Sequence, residues 1–209
     1  MQETIYAIGN SHVNIFASGE SSFQVPGESK GFKSYPIGPT IAYNFTQNHL
    51  PIVLKTLMEN KVPLGSKVLL VVGEVDCRWH LPYQSALQKR STSSIVAECV
   101  ERFMGTFDAL QEIGYQPCGW GGHPTTDGPH NDDQNQPVFG DMLYRNAIAW
   151  HWKETIKNWC KNNNWGYYSI FEKLVWADLT TRTEFMQDYC HLSTSKVRPF
   201  INEVFGITE

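Results

Sequence analysis

The run Lys67–Val72 (KVLLVV) decides the fold class, because it is almost wholly apolar and ends at a glycine, Gly73. A short apolar run of this kind is typical of a β-strand that is buried on both faces of a sheet. The run Thr4–Ile8 (TIYAI), which ends at Gly9, predicts a second strand. Two weaker strand candidates follow later in the chain, Tyr115–Trp120 and Gly166–Ile170.

Two long helical patterns lie between these strands. Ser91–Gly114 opens with a Ser/Thr-rich cap region, ends at a glycine, and spaces five apolar residues along one helix face: Val96, Val100, Phe103, Phe107 and Leu110. Asp141–Asn164 has a similar stripe: Leu143, Ile148, Trp152, Ile156 and Trp159. Strands that alternate with helices predict an α/β fold with a parallel sheet covered on both faces. Without internal repeats or a linker, we expect residues 1–209 to form a single domain.

The composition is that of an ordinary globular protein and excludes several functions. The 209 residues are 41% hydrophobic and 18% charged, and the net charge of −4 argues against a nucleic-acid partner. No apolar run has the length of a membrane span, and the N-terminus lacks the order of a signal peptide. Five dispersed cysteines are typical of reduced thiols, so we expect a cytoplasmic protein with no membrane partner. We expect no cofactor, and the oligomeric state stays open.

Small and polar residues follow three of the predicted strands. They are Gly9-Asn10-Ser11-His12, then Gly73-Glu74-Val75-Asp76-Cys77-Arg78, then Gly121-Gly122-His123-Pro124. In an open parallel sheet, functional groups gather where the strands end, so we expect these clusters to meet. The third cluster opens a long polar loop, 121–140, which is a candidate lid, specificity loop or disordered segment.

Ser11 lies where a hydrolase presents a nucleophile, at a strand end among small polar residues. The turn exposes the hydroxyl, and nearby backbone N–H groups can face a developing oxyanion. The alternative is that Ser11 caps the following helix, which is the commoner role of a serine in this position.

Asp188 precedes His191 by three residues near the C-terminus, in Asp188-Tyr189-Cys190-His191. On a tight turn the carboxylate can orient the imidazole, which then takes the serine proton as general base. Taken alone, the motif is a weak signal, because a capped or core histidine is its common explanation. Its presence together with Ser11, at opposite ends of the chain, favours a catalytic Ser–His–Asp triad.

The two motifs resemble those of the SGNH (GDSL-like) hydrolases, which have Gly-Asp-Ser after the first strand and Asp-x-x-His before the last helix. The chain has Gly9-Asn10-Ser11 and Asp188-x-x-His191 in those places. The resemblance implies a flavodoxin-like, three-layer αβα fold and hydrolysis of esters, often acetyl esters on sugars. It assigns Ser11 as nucleophile, His191 as base and Asp188 as the residue that orients it. Gly38 is similar to the family's second-block glycine, whose N–H joins that of Ser11 in the oxyanion hole.

The third block departs from the family pattern Gly-x-Asn-Asp. Gly73 opens this block and is implied to lie at the oxyanion or substrate side, but Val75 replaces the oxyanion-hole asparagine. Loss of one such donor costs about a hundred- to a thousand-fold in turnover. The block instead resembles Gly-Glu-Ile-Asp-Cys-Arg of SGNH-like proteins associated with surface-polysaccharide synthesis. Arg78 offers donors for a carboxylate, phosphate or oxyanion, or forms a structural ion pair with Asp76 or Glu74.

Several other residues have open interpretations. His12 either points into the cleft or makes a structural hydrogen bond, and Trp79 with His80 either stacks on a sugar or packs. Asn146 caps a helix or covers the sheet edge. The loop could assemble a metal site, but its spacing favours a solvated polar loop and no metal; the residues concerned are His123, Asp127, His130, Asp132 and Asp133.

Three functions are compatible with these residues. The first is a serine esterase that removes an O-acyl group, most plausibly acetyl, from a carbohydrate, with Arg78 as a third oxyanion donor or as a grip on an acidic sugar. The second is an acyltransferase with the same triad, which differs only in the group that reaches the acyl-enzyme. The third is a non-catalytic carbohydrate-binding or scaffold protein, which Val75 favours and the Ser/Asp/His set opposes.

Overall fold

A computed structural model describes residues 3–18, 25–127 and 138–208. Its centre is a six-stranded sheet in the order β2-β3-β1-β4-β5-β6. The strands are β1 (Ile5–Gly9), β2 (Gly27–Ser29), β3 (Phe32–Pro36), β4 (Lys67–Val71), β5 (Gln116–Trp120) and β6 (Gly166–Tyr168). Only β2 among them runs antiparallel, against β3. The parallel strands therefore follow the order 2-1-3-4-5, which is the flavodoxin-like order that was expected.

Helices cover both faces of the sheet. The described helices are α1 (Phe45–Asn48), α2 (Leu50–Glu59), α3 (Leu81–Gln88), α4 (Thr92–Ile113), α5 (Met142–Asn162), α6 (Phe171–Leu174) and α7 (Thr194–Phe205). Short 3₁₀ turns form at Ser11–Phe16 and Thr183–Phe185, and a π-helical turn at Asp76–His80 leads directly into α3. No helix in the described ranges is both long and apolar enough to cross a bilayer.

The core forms two layers because alternate strand residues point to opposite faces. Leu70 of β4 packs with the helices α2, α4 and α5 on one face. Leu69 packs with α6, α7 and the turn after β1 on the other. The three-layer αβα architecture predicted from the sequence is confirmed.

The two long helices lie where the periodicity placed them, with Ser91 and Asp141 as their N-caps. Every residue of the predicted α4 stripe is buried. The α5 stripe is correct for Ile148, Trp152 and Ile156, and Trp159 is partly buried against the same core. Leu143, in the first turn of α5, is 47% exposed. The strands β2 and β3 were missed, since FKSYP of β3 has neither an apolar run nor clean alternation.

Candidate active site

Ser11 is presented by a close approach between β1 and β4. At the last residue of β1, a Cβ on Gly9 would lie 1.9 Å from the carbonyl oxygen of Val71, so a side chain cannot be accommodated there. The chain then turns through Asn10, whose Oδ1 accepts a hydrogen bond from the N–H of His12 at 3.2 Å. Asn10 therefore caps the 3₁₀ turn, and the capping alternative for Ser11 is wrong. Ser11 is the first residue of the turn, and its hydroxyl is available for another contact.

The structure brings Ser11, His191 and Asp188 into one hydrogen-bonded set. The Oγ of Ser11 lies 2.9 Å from Nε2 of His191, and Nδ1 of His191 lies 2.8 Å from Oδ2 of Asp188. Because an ionised carboxylate only accepts, Nδ1 carries the ring proton and Nε2 accepts from the serine. The sequence separation between Ser11 and His191 is 180 residues, so this contact is purely tertiary.

The Asp188 carboxylate is fixed by three donors. Its other oxygen, Oδ1, accepts hydrogen bonds from the N–H of Cys190 at 2.9 Å and of His191 at 2.7 Å. Partial burial alone would raise the pKa of Asp188, but the hydrogen bonds from the His191 ring and the two N–H groups hold it well below its ordinary value. Asp188 therefore remains ionised and orients the imidazole.

A second, fully buried network lies directly behind this set. His12 Nε2 lies 2.9 Å from Oε2 of Glu74, and Arg78 Nε donates to Oε1 of Glu74 at 2.7 Å. On the other side, His123 Nε2 lies 2.6 Å from His12 Nδ1, and Trp120 Nε1 donates to His123 Nδ1 at 3.5 Å. Each of these residues is at most 4% exposed.

The donors in this network agree with one protonation pattern. Trp120 can only donate, so Nδ1 of His123 accepts and its Nε2 donates to His12. His12 then accepts at Nδ1 and donates from Nε2 to the carboxylate of Glu74. Burial lowers the pKa of His12. Burial and the adjacent His12 ring together hold the pKa of His123 well below its ordinary value. Both imidazoles are therefore neutral.

Glu74 is the charged end of the network. Burial alone would raise its pKa, but His12 and Arg78, bound to its two oxygens, hold the pKa well below the ordinary value. The sequence had singled out His12 and Arg78, and had left a pair with Glu74 as one alternative for Arg78. It had missed that a single carboxylate joins the two, although Glu74 and His12 each follow a predicted strand.

The loops expected to form the oxyanion hole share the same sheet edge. Gly9 and Pro36 are paired in register, and the N–H of Ile37 donates to the carbonyl of Gly9 at 2.8 Å, which places Gly38 beside the Ser11 turn. Gly38 has a φ of +90°, a conformation that favours glycine.

The third block is tied to the second. Gly73 passes so close to α5 that a Cβ would lie 2.6 Å from the Trp152 ring. The buried carboxylate of Asp76 accepts a hydrogen bond from the N–H of Ala42 at 2.8 Å. Val75 lies between Gly73 and Asp76 in the sequence. It is partly exposed, and its side chain has no hydrogen-bond donor.

The remaining candidates have mainly structural surroundings. Trp79 stacks on Tyr83 with ring centroids 4.9 Å apart, and Cys77 is buried in the core. Asn146 does not cap a helix: it lies inside α5, accepts from Thr125 N–H at 3.0 Å and donates to Thr181 Oγ1 at 2.8 Å. It thus holds the start of the long loop.

The metal alternative gains no support from the described residues. His123 is bound to His12, Asp127 pairs with Arg145 at 2.9 Å, and His130, Asp132 and Asp133 lie outside the described residues. Within residues 3–18, 25–127 and 138–208, the His, Cys and acidic groups that lie close enough to share an ion are Asp188, Cys190 and His191. These groups already bond to one another, and burial raises the pKa of the Cys190 thiol, which disfavours the thiolate that a metal requires.

No protein-family model matches the sequence, and no curated protein matches it. Solved structures do match. A lipolytic protein of the G-D-S-L family from Desulfitobacterium hafniense is 14% identical, with a TM-score of 0.59 over 98% of this chain and 99% of that one. A carbohydrate acetylesterase from Sinorhizobium meliloti is 14% identical, with a TM-score of 0.56 over 98% and 95%. An acetyl xylan esterase is 11% identical, with a TM-score of 0.55 over 99% and 100%.

These alignments cover nearly the whole of both chains. Because the sequence identities are only 11–14%, the matches establish a shared architecture and nothing more. The strand order, the two helical layers and the matched structures agree with one another. The chain therefore has the fold of the SGNH (GDSL-like) hydrolases.

Proposed function

We propose that this protein is a serine esterase that removes an O-acyl group, in the first place acetyl, from a carbohydrate. The observation that carries the proposal is the hydrogen-bonded set Ser11–His191–Asp188 at the carboxyl end of β1. The fold is shared with a carbohydrate acetylesterase and an acetyl xylan esterase, which supports this choice of acyl group and substrate.

The reaction begins with the Ser11 hydroxyl. His191 takes its proton at Nε2 while Oγ attacks the ester carbonyl, and Asp188 stabilises the imidazolium and fixes its orientation. His191 then gives the proton to the departing sugar oxygen. Water hydrolyses the acyl-enzyme by the same route, with His191 again acting as the base.

The developing oxyanion is assigned to the backbone N–H groups of Ser11 and Gly38. Within the described ranges, no other residue accepts a hydrogen bond from either N–H group. A third donor is absent at Val75, and the Arg78 guanidinium is turned towards Glu74. We therefore expect slower turnover than a three-donor site would give. A role of Arg78 or Gly73 towards the substrate stays a prediction.

Val75 also favours a second candidate, a carbohydrate-binding protein that has the fold without the activity. The two are separated by the hydrolysis of 4-nitrophenyl acetate by the wild type and by Ser11→Ala. An esterase loses at least about a thousand-fold in turnover in the variant, because the nucleophile is gone. Ser93→Ala, on the exposed first turn of α4, is the matched control and should retain the wild-type rate.

Equal rates in the wild type and in Ser11→Ala, or no activity in either, would contradict the esterase proposal. Mass spectrometry gives an independent reading, since the esterase forms an acetyl-enzyme at Ser11 and a binding protein does not.

A further inference from the structure

Asn14 has a buried amide that the reaction described above does not use. The residue is 5% exposed, and neither Nδ2 nor Oδ1 has a hydrogen-bond partner among the described residues. A buried polar atom that is left unpaired destabilises the fold, so nearly all such atoms are paired with protein groups or with ordered water. Asn14 lies on the turn that begins with Ser11, one helical turn from the nucleophile.

Asn14 is one of the residues that line a small cavity beside the Ser–His pair. The space open to the centre of a water molecule is about 10 Å³, which is room for one water. Its polar lining is formed by Ser11, His12, Asn14, Gln187, His191 and Thr194. Gln187 is exposed, so the cavity lies next to the surface and water can reach it.

We propose that Asn14 binds the water that hydrolyses the acyl-enzyme, an inference that rests on the proposed esterase function. The cavity is lined by the residue that carries the acyl group and by the base that must take the water's proton. Oδ1 of Asn14 accepts one water hydrogen and Nδ2 donates to the water oxygen. The second hydrogen is then directed to His191 and the remaining lone pair to the acyl carbon.

Hydrolysis of the acyl-enzyme needs only water and the groups already present in the site. The water oxygen bonds to the acyl carbon while His191 Nε2 takes a proton from the water. The tetrahedral intermediate then collapses, the bond between the acyl carbon and Ser11 Oγ breaks, and the proton on His191 passes to Oγ. The products are the free acid and the original enzyme.

The size of the cavity makes Asn14 selective for water. A space for one water does not admit the carbon skeleton of an alcohol, so an acceptor alcohol must approach the acyl-enzyme from the open cleft. Asn14 therefore favours hydrolysis over acyl transfer, and its removal should change the partition between the two products.

The test measures that partition. The wild type, Asn14→Leu and Asn14→Ala are supplied with 4-nitrophenyl acetate in buffer containing methanol, and acetate and methyl acetate are quantified. Both products come from the same acyl-enzyme, so their ratio does not depend on how much of a variant is folded. Loss of the hydrogen bonds to the water should lower the acetate to methyl acetate ratio about five- to tenfold in both variants.

The control is Tyr167→Phe, which removes a buried hydroxyl on β6, an element that does not line the cavity. Its ratio should equal that of the wild type. Acetylated Ser11 with an unchanged ratio in both Asn14 variants overturns the role of Asn14 and leaves the esterase proposal standing. A wild type that never forms acetyl-Ser11 overturns both.

Discussion

The imidazole rings of His12 and His191 are stacked, with centroids 4.7 Å apart and planes inclined by 27°. In the proposed reaction His191 becomes positively charged each time it takes a proton. A charged His12 against its face would oppose that step. Burial lowers the pKa of His12, although the Glu74 carboxylate raises it, and the hydrogen bond that Nδ1 accepts from His123 is made by the neutral ring. The ring that stacks on His191 is therefore uncharged.

The neutral histidines should make stability depend on pH. His12 and His123 have pKa values below 6.5 in the folded protein, so the unfolded chain binds more protons as the pH falls below 6.5. The free energy of unfolding therefore decreases with falling pH. In His123→Gln, whose amide can still donate to His12, the decrease should be shallower by up to about 1.4 kcal/mol per pH unit.

Urea denaturation between about pH 5 and 6.5 measures this slope, above the range where ordinary carboxylates titrate. His151→Gln, on the exposed side of α5, is the control and should retain the wild-type slope. An identical slope in His123→Gln and the wild type would show that His123 is not held neutral by folding.

Glu74→Gln should destabilise the protein strongly. The carboxylate accepts from both His12 and Arg78, whereas an amide has one acceptor oxygen and would present an NH₂ group to one of these donors. Loss of one partner of a buried ion pair costs about 3–5 kcal/mol. The comparison is Glu28→Gln, which breaks the exposed pair with Lys33 and should cost less than about 1 kcal/mol. Chemical denaturation measures the free energy of unfolding of both variants. A similar decrease in Glu74→Gln and Glu28→Gln would contradict the prediction.

Asp188→Asn should abolish most activity with little change in structure. Asn Oδ1 can still accept from the N–H groups of Cys190 and His191, which leaves the amide NH₂ facing the ring of His191. The ring must then carry its proton on Nε2, where it cannot take the Ser11 proton. We expect turnover of 4-nitrophenyl acetate to fall by about 10³–10⁴.

Asp178→Asn is the matched control, because Asp178 accepts from the N–H of Thr180 in an exposed turn that does not contact the triad. Its turnover should be unchanged. A variant Asp188→Asn that keeps more than a tenth of the wild-type rate would remove Asp188 from the mechanism.

Val75→Asn should increase turnover. It places an amide donor at the third-block position that the SGNH resemblance assigns to the oxyanion hole, where the side chain now has none. Because one oxyanion donor is worth about a hundred- to a thousand-fold, even an imperfectly placed amide should give at least about a tenfold gain in kcat. Val75→Leu is the control for the change in size. Equal rates for the Asn and Leu variants would show that the oxyanion does not lie beside residue 75.

The sequence alone determined the αβα class, four of the six strands, both long helices and the residues of the Ser–His–Asp set. These features are local: an apolar run, a 3.6-residue period or a short motif is visible without knowing what packs against it. The missed β3 shows the limit, because its mixed sequence becomes a strand through pairing with β1 on one side and β2 on the other.

Only the tertiary structure decided which residues of the site form hydrogen bonds with one another. His12 meets Glu74 across 62 residues and His123 across 111, and each contact depends on strand register and on which rotamers the packed core allows. The unpaired amide of Asn14 could not be foreseen for the same reason, since a cavity is defined by what several elements leave unfilled. The sequence specifies which chemical groups stand at each strand end, and packing decides which of them touch.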